Sequence, residues 1–360
     1  MESGEMEPKI TVVMSAYNHE KYVEKAIQSV LNQTYKNIYF CVADDASSDN
    51  TANIIMKYEE KIDEIHLYDT NSGHGRWMSL ILNSKTEYTA VINSDDWWEN
   101  TKLEKQLFYL EKHPECAACF TWCNEVEEDG SLMEKQLFQS TNKSKEEWMY
   151  TFLLQGNCLA HPSILIRTEI YQKLFSDNNS VFRQLPDFNM WIKLVQEHEI
   201  YVINEMLTNF LHHSKGQNMN VSTPNLENSV RNDIEMAFIW YTAMKNMDDK
   251  YFKKAFKKVM VNPNANSHIE ILCEKYFVLC TSSLLGVQMA AINYYYDVFQ
   301  NVENYEILKQ KYAYTNKLFH EIDTKIGNGA EIIKERELRD QSLELLKKMQ
   351  SIIKQNGLLE

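Results

Sequence analysis

The sequence predicts an α/β fold in which a mostly parallel sheet flanked by helices is followed by an α-helical C-terminal region. Three observations predict it. Short β-branched, apolar runs alternate with amphipathic stretches through the first half, and each run ends in a polar cluster. Beyond Asn225 the apolar residues recur at helical spacing almost throughout. Charge changes at the same place: residues 225–360 hold 18 basic and 18 acidic side chains, so the whole net charge of -14 resides in residues 1–224. The expected organisation is therefore a domain over 1–224 and an α-helical domain over 225–360.

Taken in order, KITVVM (9–14) reads as a buried strand, followed by the loop SAYNH and a helix carrying Tyr22, Val23, Ala26, Ile27, Val30 and Leu31. The next strand, NIYFCVA (37–43), runs into DDASSDNT, whose polar side chains suit the start of a helix bearing Ile54, Ile55 and Tyr58. A short strand at 65–68 leads to NSGHG and another helix; YTAVI (88–92) is a further strand, closed by NSDDWW. Strand–helix alternation of this kind implies parallel pairing with right-handed crossovers. Ligands of such sheets bind at the carboxyl ends of the strands, which here carry Ser15 to Asn18, Asp44 with Asp45, and Asn93 to Asp96.

Composition bounds the function. With 44% hydrophobic residues the chain can bury a large core, and 51 acidic against 37 basic side chains exclude a general nucleic-acid binder. The start, MESGEMEPKI, places acids where a signal peptide needs a basic stretch, and no apolar run reaches the roughly 18–20 residues of a membrane span. These features point to a cytoplasmic protein. Seven cysteines form no disulfide framework. Cys116, Cys119 and Cys123 have metal-ligand spacing, but ECAACFTWC also reads as a buried strand and lacks a second pair.

Two acidic pairs carry the chemistry. Adjacent carboxylates at a strand end repel unless a cation or hydrogen-bond donors offset them. Asp95 and Asp96 therefore suit a divalent cation, Mn2+ or Mg2+, bridging a diphosphate, or alternatively the cap of a helix around Leu103 and Leu107. Asp45 can accept from a pyrimidine imide while Ser47, Asp49 and Thr51 cap the following helix.

The ordered set VVMSAYNHEKYVEKAIQSVLNQTY, VADDASSDNT, NSGHG and VINSDDWW resembles the family 2 glycosyltransferases of the GT-A fold. The resemblance is clear over residues 8 to about 130 and weaker to about 220. It implies an inverting, metal-dependent enzyme that takes a sugar from a nucleotide diphosphate donor, a UDP-sugar, to an acceptor hydroxyl. Ser15, Tyr17, Asn18 and Asp45 would hold the nucleotide, with Arg76 near phosphate and Asn93 and Asp95 near the ribose. Asp95, Asp96 and His213 would hold the cation. The pattern usually has an acid where Asn93 stands, and Arg where Leu211 stands. In LPDFNMWIK (185–193) the matching acid is Asp187, with Pro186 in place of Glu; Asp187 would be the general base, although a helix cap is the alternative. His161 and Trp97 would lie near the sugar.

The acceptor implied is a glycan or lipid-linked glycan, and the Asn- and Lys-rich composition suits bacterial cell-surface polysaccharide synthesis. A sugar-phosphate nucleotidyltransferase would need a Gly-rich basic loop that SAYNHEKY lacks; a non-catalytic scaffold would not need the acids. Lys253, Lys254, Lys257 and Lys258, interleaved with Phe252 and Phe256, suggest either peripheral contact with the inner face of the membrane or a solvated helix face. Residues 331–354 carry a single apolar stripe that fits a homodimer helix or docking on the chain itself.

Overall fold

A computed structural model describes residues 7–73, 76–175, 181–213 and 226–323. Its first part is the predicted alternation: β1 (Ile10–Ala16), α1 (Val23–Leu31), β2 (Ile38–Asp44), α2 (Thr51–Met56), β3 (Glu64–Leu67), α3 (Trp77–Asn83) and β4 (Tyr88–Asn93). There follow β5 (Trp97–Trp98), α4 (Lys102–Lys112), β6 (Cys116–Glu127), α5 (Lys145–Gln155), a single 3-10 turn at His161–Ser163, β7 (Leu165–Arg167), α6 (Thr168–Leu174), α7 (Pro186–Glu197) and β8 (Glu199–His212). The C-terminal helices are α8 (Leu226–Asn246), α9 (Asp249–Phe256), α10 (His268–Cys280), α11 (Leu285–Phe299), α12 (Val302–Tyr312) and α13 (Asn316–Asp323).

The strands form one eight-stranded sheet in the order β3-β2-β1-β4-β7-β6-β8-β5. Its β3-β2-β1-β4 half is wholly parallel, as the alternation predicts. The other half is mixed: β7 runs antiparallel to β4 and β6, β8 is parallel to β6, and β5 is antiparallel to β8. Strand β7 has three residues and β5 two, too short for periodicity to announce them.

Side chains alternate across the sheet, so each strand feeds two cores. Ile10, Val12 and Met14 of β1 join α1, α2 and α4 on one face. Val13 turns to the other face, whose core runs on without a break through α5 and α7 into α8, α10 and α11. Trp148, Trp191 and Trp240, from α5, α7 and α8, are all fully buried in it. The helical region thus shares its core with the sheet. Gly286 shows how closely α11 meets α8: a Cβ there would stand 2.5 Å from Met236 Cβ and 2.7 Å from the Asp233 carbonyl oxygen. Both α5 and α10 open with a capping box, Ser144 with Glu147 and Ser267 with Glu270.

Several alternatives left by the sequence close here. Cys116, Cys119 and Cys123 are buried on β6, and the metal-ligating group among the described residues does not include them. Asp95 and Asp96 do not cap α4, because β5 intervenes and Thr101 precedes the first helical residue. Phe252 and Phe256 are fully buried, so the rings that would have met a lipid surface belong to the core and the lysines line an outer face. Among the described residues no helix is long and apolar enough to cross a membrane. The stripe at 331–354 lies outside the described residues.

Candidate active site

Parallel register brings the predicted loops together. Ser15 lies opposite Ala43 of β2 and Asn93 of β4, so the three strands end level and their loops share one edge. Asn18 and Ala46 adopt left-handed backbone, φ 53° and 63°, which turns both loops sharply. The loops are then stitched to each other: Asn18 N–H donates to Ser47 Oγ (2.9 Å), Ser48 N–H to Asn18 Oδ1 (2.8 Å) and His19 N–H to Thr51 Oγ1 (2.8 Å). Asp44 takes the N–H of Ser47 at 2.9 Å. Tyr17 is left 46% exposed, with its ring available to a ligand.

Asp45 is buried at the centre of this edge. It accepts from the N–H of Ser72 (2.9 Å), from Ser72 Oγ (2.7 Å) and from Arg76 Nε (2.7 Å). The Arg76 guanidinium also lies 3.9 Å over the Tyr68 ring, and the Arg76 N–H donates to Ser15 Oγ at 2.8 Å. Arg76 is therefore a partner of Asp45 rather than a free cation facing outward.

The second acidic pair is split by its surroundings. Asp95 Oδ2 lies 2.9 Å from His213 Nε2 and 3.9 Å from His19 Nε2. His213 Nδ1 in turn faces Glu128 (3.2 Å), which also accepts from the Tyr22 hydroxyl (3.1 Å). Burial alone would push the Asp95 carboxyl up, but the His213 hydrogen bond and the two imidazoles outweigh it and pull it below its usual range. The hydrogen bond that His213 donates to Asp95 raises the His213 pKa. Asp96 is turned the other way, accepting from Leu211 N–H (2.8 Å) and Asn93 Nδ2 (2.9 Å); burial and the charge of Asp95 hold its carboxyl well above the usual range. Among the described residues the group able to hold a metal ion is therefore His19, Asp95 and His213, with ligand atoms within 4.8 Å of one another, and Asp96 is not part of it. His19 is the residue that sequence reasoning passed over. It directly follows the singled-out Ser15–Asn18 loop, and that position was the available signal.

Asp187 occupies the first turn of α7, where Pro186 supplies a preset φ. It does not act as an N-cap; Leu185 holds that position. Its carboxylate accepts from Asn157 Nδ2 at 2.8 Å and from the Phe188 N–H. Burial raises Asp187 to about 6. Beside it Tyr171 feels the Asp187 charge, and the Tyr171 hydroxyl is hydrogen-bonded to His161 Nε2. His161 is enclosed by Trp77 (ring centroids 4.8 Å apart) and Trp191 (5.8 Å), and burial lowers its pKa to about 3. Trp77 follows Arg76 in sequence, so contacts run unbroken from Asp45 through Arg76, Trp77 and His161 to Tyr171 beside Asp187. Trp97 of β5, by contrast, pairs with Asn209 of β8, and Lys25 Nζ sits 3.0 Å over its ring, so that face is already covered. A cavity of about 370 Å³ lies at the far edge of the sheet, lined by Cys116, Glu199 and Tyr201 near the amino ends of β6 and β8.

The glycosyl transferase family 2 model matches residues 11–175, which contain both acidic pairs and the His161 turn. Residues 11–175 form a glycosyl transferase family 2 domain. An uncharacterized glycosyltransferase of Methanocaldococcus jannaschii is 29% identical over 214 residues, 58% of this chain and 72% of the relative. A Bacillus subtilis protein, TuaG, named for a role as a teichuronic acid biosynthesis glycosyltransferase, is 28% identical over 207 residues, 56% of this chain and 79% of the relative. Among solved structures, residues 1–349 of Staphylococcus aureus TarS share the GT-A fold with this chain: TM-score 0.54 at 16% identity, covering 85% of this chain and 91% of that one. The same TarS fragment has been solved with UDP and with UDP-GlcNAc.

Proposed function

We propose that this glycosyltransferase moves a sugar from a UDP-sugar to a hydroxyl of a cell-surface glycan by a single displacement that inverts the anomeric centre. One observation carries the mechanism: the acids at the two ends of the site are pushed in opposite directions. Asp95 is held ionised by its imidazoles, whereas Asp187, raised to about 6, is set to take a proton near neutral pH. Two carboxylates with separated tasks are what transfer from a nucleotide donor requires. The TuaG name and the UDP and UDP-GlcNAc complexes of TarS support the donor and the setting.

In this reading residues 1–224 form the transfer unit and residues 225–360 support its acceptor side. Ser15, Tyr17, Asn18 and Asp45 hold the nucleotide, with Arg76 fixing Asp45. The Tyr17 ring offers a stacking face for the base. His161 and Tyr171 border the place of the transferred sugar. Asp187 accepts the proton of the acceptor hydroxyl, and the Asn157 amide keeps its carboxylate in one orientation.

The donor set of His19, Asp95 and His213, two imidazoles and one carboxylate, fits a divalent cation, and its nitrogens suit Mn2+ better than oxygen-seeking Mg2+. When bound, such an ion supplies Lewis-acid stabilisation of the departing diphosphate. Incubation with a panel of UDP-sugars and MnCl2, scored for UDP release, tests the reading. Release from at least one UDP-sugar, lost on adding chelator, is the expected result. Absence of release from every UDP-sugar in the panel would sink it.

A further inference from the structure

Glu235 projects from the third turn of α8, in the helical region, and is only 9% exposed. Its carboxylate faces the chain just before α7. Oε1 accepts from Arg183 N–H at 2.8 Å, and Oε2 accepts from Gln184 N–H at 2.9 Å and Leu185 N–H at 2.8 Å. Three successive N–H groups converging on one carboxylate form a strong, charge-assisted anchor. The next residues are Pro186 and Asp187. Helix α7 has no capping side chain of its own, since its N-cap is Leu185. The first turn of α7 is therefore fixed from outside, by a residue about fifty positions further along the chain. Helix α8 is itself immobilised, because Trp240 and Met244 are fully buried in the core shared with Trp191 of α7.

We propose that Glu235 is a positioning residue for sugar transfer: by holding the backbone of residues 183–185, it sets where the Asp187 carboxylate stands. This rests on Asp187 being the general base. The groups facing Asp187 are the Asn157 amide, the Tyr171 phenol with His161 behind it, and Glu235. The Glu235 charge adds to burial in raising Asp187. The helical region thereby contributes directly to the site instead of only covering it.

The test uses the full chain with Glu235→Gln and Glu235→Asp. The readouts are UDP release from UDP-GlcNAc with MnCl2, UDP affinity by calorimetry, and the Asp187 titration by carboxyl 13C NMR, its signal assigned with Asp187→Asn. Glu235→Gln is expected to lower kcat about 10- to 100-fold, leave KM and UDP affinity unchanged, and move the Asp187 midpoint to lower pH. Glu235→Asp keeps the charge but withdraws it by one methylene, so kcat falls while the midpoint stays; it carries the test if Glu235→Gln does not fold. A folded variant with wild-type kcat and an unmoved midpoint overturns the proposal. If the wild type releases no UDP from any UDP-sugar of the panel while Glu235→Gln still moves the midpoint, the positioning inference stands and the functional reading is the one that fails.

Discussion

The donor and acceptor ends of the site are built by opposite means. At the donor end, loops after β1, β2 and β4 are stitched by polar side chains, and every carboxylate there has a named donor or cation: Asp44 with Ser47, Asp45 with Ser72 and Arg76, Asp95 with His213. At the acceptor end, Asp187 has one amide, one N–H and aromatic neighbours, and burial dominates its proton affinity. The difference teaches how one sheet edge can hold a charged diphosphate and a base at once. Asp95, paired with imidazoles, is pulled below its usual range and suits binding; the desolvated Asp187 keeps a pKa close to working pH and accepts a proton.

The contrast can be broken most strongly at Asp187. Asp187→Asn is expected to reduce transfer about 10²- to 10⁴-fold in steady-state assays while UDP affinity stays at the wild-type value. Loss of UDP binding in that variant would place Asp187 at the donor end instead. Next in size, His213→Ala and His19→Ala should each weaken the cation by about 10- to 100-fold, read by titrating MnCl2 against activity and by the ion's paramagnetic broadening of water relaxation. Unchanged Mn2+ affinity in both would remove the cluster from the mechanism.

A smaller effect sharpens the comparison through stability. A carboxyl raised in the folded state stabilises the fold below its unfolded value and loses that contribution as pH rises through its folded value. For Asp187 the window runs from about 4 to about 6. Asp187→Asn should therefore equal the wild type in urea denaturation near pH 4 and exceed it by about 3 kcal/mol above pH 7. An equal stability at both pH values would mean that Asp187 is not desolvated. Arg76→Ala, at the donor end, should cost about 1–3 kcal/mol in the same measurement, because Asp45 is left buried without its cation.

The donor end was legible in the sequence because it is local. Its strands are single apolar runs, and each polar cluster follows its strand directly, so Ser15, Asp45, Asn93 and Asp95 could be placed on one edge from alternation alone. The acceptor end is assembled from distant segments: Asn157, His161, Tyr171, Asp187 and Glu235 lie on five different elements or turns. No spacing rule links them, and only the resemblance singled out Asp187. Orientation was not legible either. Adjacent Asp95 and Asp96 read as equivalent ligands, yet in the turn between β4 and β5 their side chains part, Asp95 to His213 and Asp96 to the Leu211 N–H. Likewise Phe252 and Phe256 alternate with lysines in sequence, while helical geometry puts the rings inward and the charges outward.

The measurement that tests the account most directly is the pH dependence of kcat alongside UDP affinity. With Asp187 raised to about 6, the rate should fall tenfold per pH unit below that value and level off above it, while UDP affinity stays flat through the same window. The limb should survive in His213→Ala at saturating Mn2+. An acid limb that follows His213, or UDP affinity that collapses with the rate near pH 6, would contradict a base housed apart from the donor.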